Sequence, residues 1–123
     1  MICAEEGLDA RHEIGGDAAT PMLTLYQAKG FWSRLRGLHA RRSLLWGTGL
    51  YLSPCWAIHT FGLTYAIDVV FLDADLQELK RVDAVRPNKL VFCRKAVSVV
   101  ELSAGYCAAC PGYGAEIRRA LGW

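Results

Sequence analysis

From Met22 onward the chain reads as short apolar runs punctuated by turn residues every eight to twelve positions. Runs of that length, rich in β-branched and aromatic residues, are strand signals. They predict strands over Met22–Tyr26, Gly49–Leu52, Ile58–Phe61, Ala66–Leu72, Glu78–Val85, Leu90–Cys93 and Val97–Leu102. Helical spacing is scarce. Phe31, Leu35 and Leu38 recur on one helix face, and Tyr106–Leu121 leaves room for a helical turn and a closing element. The punctuation predicts a mainly β fold, a compact antiparallel β-barrel or sandwich with one or two short helices. Asp73-Ala-Asp-Leu-Gln77 reads as a hairpin turn, because aspartate side chains hydrogen-bond their own backbone.

The first twenty residues lack this pattern. They are rich in glycine and acid and end at Pro21, so residues 1–20 are expected as a flexible acidic tail and residues 21–123 as one β-rich domain. The tail carries five acids and one arginine, net −4, which leaves the remainder at +6 of the overall +2. With 53% hydrophobic and 21% charged residues the chain is globular and neither disordered nor fibrous. It has no apolar run of eighteen residues, so no membrane span is expected. The acidic start does not resemble a secretory signal, so a cytoplasmic location with five reduced thiols is the expectation. The basic run Arg34 to Arg42 reads as a solvated helix face and exit loop. No nucleic-acid motif accompanies it, and no nucleic-acid partner is expected.

Candidate chemistry lies in the apolar strands. Alternation puts Asp68 on one face with Ala66, Val70 and Leu72, and Glu101 on the face of Val97 and Val99. An ionised carboxylate buried without partners costs several kcal/mol. Both acids must therefore find hydrogen bonds, a cation, a proton or a pocket. Arg36, His59, Thr60, Asp68 and Glu101 form the expected polar cluster, binding a ligand in a polar cleft. The competing reading has the two carboxylates accepting backbone N–H groups to fix loops, and it is favoured because buried polar groups exist to be satisfied. General acid/base work by the carboxylates is the catalytic alternative.

Two cysteine patterns have bland explanations. Cys55 and His59 are four apart, about 13 Å along a strand, too far to share an ion unless residues 54–57 bend. A buried thiol and a hydrogen-bonded histidine fit better, and neither metal nor cofactor is expected. Cys107-Ala-Ala-Cys110 is a CxxC, the redox motif, but no thioredoxin-like βαβ pattern surrounds it. Trp32, Trp46 and Trp56 are expected in core or pocket walls, and Phe61, Tyr65 and Phe71 in the core.

Arg36-Gly-Leu38, Gly47-Thr-Gly-Leu50, Cys55 to Phe61, Ala66-Ile-Asp-Val-Val-Phe-Leu-Asp73 and Val99-Val-Glu-Leu-Ser-Ala-Gly105 follow one another in the order of a known pattern. Over residues 21–123 the chain resembles the bacterial and archaeal domain of unknown function 192. That family has no established biochemistry, and its members are often exported. Three positions depart from its pattern. Ala66 replaces a usual proline, Leu63 a common methionine, and Leu76 a turn glycine. A leucine at positive φ costs about 1 kcal/mol or more, so a rearranged turn is expected at Leu76. The combined expectation is a non-catalytic accessory domain that binds a small molecule or a protein. A carboxylate hydrolase acting on a polar substrate such as a glycan is one alternative, and a CxxC thiol oxidoreductase another.

Overall fold

A computed structural model describes Cys3–Ala4, Glu13–Ile14, residues 22–27 and residues 46–123. Its strands are β1 (Cys3–Ala4), β2 (Glu13–Ile14), β3 (Thr24–Gln27), β4 (Thr48–Leu52), β5 (Ala57–His59), β6 (Ile67–Leu72), β7 (Glu78–Val85), β8 (Leu90–Phe92) and β9 (Ser98–Ser103). Two short helices follow, α1 (Tyr106–Ala109) and α2 (Tyr113–Ala120). The main sheet has the order β2-β3-β4-β9-β6-β7, and a small sheet the order β1-β5-β8.

The mainly β expectation holds, but the sheets are mixed and not purely antiparallel. β3 pairs parallel with β4, and β1 parallel with β5. Parallel neighbours need a long connection, and twenty residues separate the end of β3 from the start of β4. The main sheet's order is linear, and among the described residues no ladder joins β2 to β7 to close a barrel. Cys3–Ala4 and Glu13–Ile14 enter the ladders beside β5 and β3, held by backbone pairing that side-chain periodicity does not register over two residues.

β6 and β9 are central because both of their faces are apolar, as a strand covered on both sides requires. One face carries Ile67, Val69, Phe71 and Val99, packed with Leu50, Leu52 and with Ile58 of the small sheet. The other carries Val70, Leu72, Val100 and Leu102, packed with Leu25 and with Tyr106, Cys107, Ile117 and Ala120 of the helices. Ile117 and Ala120 are buried at helical spacing, so α2 lies on the sheet by one stripe. Its far side ties down β3: Glu116 accepts the Leu23 N–H at 3.3 Å, and Arg119 donates to the Leu23 carbonyl at 2.7 Å.

Two local features set the spacing. Gly49 lies so close to β9 that a Cβ there would stand 2.6 Å from the Glu101 carbonyl and 2.7 Å from Leu102. It is a strand glycine of close approach. The hairpin at Asp73 forms as expected: Asp73 Oδ1 accepts the N–H groups of Asp75 at 2.8 Å and Gln77 at 3.0 Å. The turn is not rearranged at Leu76, which keeps φ at 59° and buries its side chain against the helices. Burying a leucine is worth roughly 1.5–3 kcal/mol, enough to offset the strain.

Candidate functional site

The expected polar cluster is divided by the main sheet. Asp68 pairs with Leu102 while Glu101 pairs with Val69, so the two carboxylates leave their strands on opposite faces. Both are fully buried. Arg36 lies outside the described residues. His59 is on the small sheet, on the side of the molecule that Glu101 and not Asp68 faces.

Asp68 is engaged by backbone. Between Ile67 and Val69 the β6–β7 register shifts, so Asp68 stands opposite both Asp83 and Ala84 in a bulge. Ala84 has φ 50° and donates its N–H to Asp68 Oδ1 at 2.8 Å. Gly105 donates to the same oxygen at 3.1 Å, and Cys107 to Oδ2 at 3.0 Å. The carboxylate thus stabilises a bulge and also caps α1, whose N-cap glycine has no side chain to do so. Thr60 has a similar task. Its hydroxyl donates to the Arg86 carbonyl at 2.7 Å and accepts the Lys89 N–H at 2.9 Å, fixing the β7–β8 connection.

Burial, and then the negative charge of Asp68, push the Cys107 thiol up to about 12, where a redox nucleophile needs it lowered. The Cys55 thiol is buried and donates to the Ala57 carbonyl at 3.2 Å. Among the described residues no three His, Cys, Asp or Glu side chains gather as a metal site. No helix among them is long and apolar enough to cross a membrane.

Open chemistry lies on the outer face of the small sheet. The register pairs Ala57 with Phe92, Ile58 with Val91 and His59 with Leu90. Ile58 and Val91 turn inward to the core, so His59, Leu90 and Phe92 take the other face, where Ala57 is itself buried beneath its neighbours. Leu90 is 50% exposed and Phe92 49%. Phe61, expected in the core, is 52% exposed because β5 ends at His59 and Phe61 stands in the following turn. Its ring stacks on His59 at 4.9 Å, and its N–H donates to His59 Nδ1 at 3.4 Å. Beside them Trp56, Ala57, Leu90, Phe92 and Arg94 line a hollow of about 230 Å³. Lys80 of β7 reaches the same place: its Nζ lies 5.6 Å from the Phe92 ring and donates to the Phe92 carbonyl at 2.9 Å.

A second hollow of about 320 Å³ lies where β3 and β4 begin, between Met22, Thr24, Trp46, Tyr106 and Cys110. Trp46, 58% exposed, stands 5.2 Å from the buried Tyr106 ring. At the β7 edge Arg81 grips Asp83 with two nitrogens, at 2.6 and 2.8 Å, and lies over the Tyr113 ring, whose hydroxyl donates to Glu78.

Of the outer-face residues, sequence reasoning singled out His59 but not Leu90 or Phe92 as site residues. The available signal was Arg86-Pro-Asn-Lys-Leu-Val-Phe-Cys-Arg-Lys95, four cations around a three-residue strand with no acid.

An open mixed sheet flanked by a small sheet and two helices recurs in solved structures. A protein from Sinorhizobium meliloti 1021, described provisionally as a transcription regulator, matches with a TM-score of 0.62 at 20% identity, over 72% of this chain and 74% of its own. A protein of unknown function from Novosphingobium aromaticivorans matches with a TM-score of 0.59 at 16% identity, over 79% of this chain and 74% of its own. At these identities the likeness is one of fold. No curated protein matches the chain. The sequence pattern of DUF192, described as an uncharacterized ACR, matches residues 10–113, and the chain belongs to that family.

Proposed function

We propose that this chain is a non-catalytic binding domain whose docking surface is the outer face of the small sheet, with a protein as its partner. The observation that carries this is the division of labour among its side chains. Asp68 and Thr60 are occupied by backbone, whereas Phe61, Leu90 and Phe92 stand about half exposed together on one face. Grouped exposed apolar side chains mark interaction surfaces, and aromatic ones anchor them. The adjoining hollow is smaller than the roughly 300–1,000 Å³ of small-molecule pockets, and it suits one inserted side chain. His59 keeps a place in this site through its stack on Phe61.

The test is selection of random peptides on the wild-type domain, with Leu90→Ser/Phe92→Ser as the counter-selected variant. Both side chains are half exposed, so the variant is expected to melt close to the wild type. Peptides that bind the wild type and lose the variant support the reading. Selection that yields only peptides binding both proteins equally removes it.

A second reading rests on the hollow beside Trp46 and Tyr106, whose volume reaches the lower end of the small-molecule range. There the domain binds a small molecule, and a thermal-shift screen in which Trp46→Ala abolishes the protection tests it.

A further inference from the structure

We infer that the partner of the small-sheet face is an extended segment alternating acidic and apolar residues, laid along the outer edge of β8. This rests on the docking reading above and specifies its occupant. Three observations lead to it.

The first is the backbone. Cys93 donates to the Trp56 carbonyl, and Thr60 to the Lys89 carbonyl, so residues 89, 91 and 93 direct their polar groups at β5. Alternation then turns the N–H and C=O groups of Leu90 and Phe92 the other way, to the side where, among the described residues, the sheet order ends. The Phe92 carbonyl meets Lys80 there, which confirms the direction. Only a chain that offers donors and acceptors in alternation complements such an edge, as an added strand does.

The second is charge. Arg86, Lys89, Arg94 and Lys95 are all exposed around β8, and Lys80 joins them from β7. The nearest acids of β7 are turned elsewhere, Asp83 to Arg81 and Glu78 to Tyr113. The surface thus pairs apolar anchors with cations, and it calls for apolar residues flanked by acids.

The third is the hollow. It opens between Trp56 and Phe92 with Arg94 at its rim. A strand beside β8 directs every second side chain to this face, so one apolar residue enters the hollow while a neighbouring acid meets Arg94. A nucleic-acid backbone meets the cations, but it supplies no repeating donor for the Leu90 carbonyl.

The probe is a fluorescein-labelled Asp-Val-Glu-Phe-Asp-Leu-Glu peptide, read by anisotropy on the full chain. Controls are its alternately N-methylated form, its lysine-for-acid counterpart, an oligouridylate and phosphatidylserine vesicles. The acidic peptide is expected to bind at least about tenfold tighter than each control, and to weaken about tenfold in Phe92→Ser and in Arg94→Ala. Amide NMR shifts should centre on Leu90 and Phe92. Equal binding of the N-methylated peptide overturns strand addition. Tighter binding of oligouridylate or vesicles overturns the protein partner. If peptides of other chemistry win the random selection and still need Leu90 and Phe92, this inference fails while the docking reading stands. If no peptide depends on those two residues, both fail.

Discussion

Asp68 supplies acceptors where the β6–β7 ladder is interrupted. A bulge leaves the Ala84 N–H without a strand partner, and the start of α1 adds the N–H groups of Gly105 and Cys107; one carboxylate serves all three. Asp68→Asn removes the charge and turns an amide donor toward these donors. The expected loss is roughly 3 kcal/mol, read from urea unfolding, since hydrogen bonds to a charged group are worth about 1.5–3 and orphaned donors cost more. A loss below about 0.5 kcal/mol would mean that the side chain carries little of this load. Leu76 offers a contrast between strain and burial, because its φ of 59° favours glycine while its side chain fills the helix-side core. Leu76→Ala loses the burial and keeps the strain, whereas Leu76→Gly loses the burial and relieves it. The glycine variant should therefore melt no lower than the alanine variant, although it is smaller. At Gly49 the limit is space. Gly49→Ala meets the Glu101 carbonyl at 2.6 Å and should cost about 1–3 kcal/mol, checked by the same unfolding curves.

At the scale of elements, strand positions were legible because burial on one or both faces leaves a period of two or an unbroken apolar run. Glu78–Val85 was expected with the bounds it has, and β4, β6 and β9 within a residue at each end. Strand partners were not legible. Nothing in Thr24–Gln27 or Thr48–Leu52 records that they run parallel, since strand direction is not written in the pattern of either strand. α1 shows the same limit for chemistry. The spacing of Cys107 and Cys110 is that of a redox motif, but the fold places Cys107 inside the core beside a carboxylate that arrives from thirty-nine residues away. Its thiol is held protonated to about 12 against an ordinary value of 9.0. Between those values the unfolded chain has released a proton that the folded chain retains, so stability falls as pH rises through that window. Urea midpoints at about pH 8 and about pH 11 should thus drop further for the wild type than for Cys107→Ala. An equal drop would mean that the thiol ionises alike in both states.

The whole molecule is a sheet with two unlike covers, and that arrangement decides what its buried acids can do together. Both carboxylates announced themselves in the sequence as charges in apolar strands. Their separation did not, because it depends on the register that sets Asp68 against Leu102 and Glu101 against Val69. A shift of one residue would have put them on the same face, which is why strand pattern alone could not distinguish one cluster from two sites. The exposure of the small sheet's outer face was hidden for a related reason: Leu90 and Phe92 look like core residues until β5 and Ile58 claim the inner side. The division has a measurable consequence. Asp68 works on the helix side and Glu101 on the small-sheet side, with the packed backbone of β6 and β9 between their side chains. Groups without shared partners contribute independently, so Asp68→Asn and Glu101→Gln should add within about 0.5 kcal/mol in a double-mutant cycle. The cycle is best run in a stabilising osmolyte, which keeps the double variant folded. A coupling of about 1 kcal/mol or more would join the two acids in a single network after all, and the sheet would not insulate its faces as its register implies.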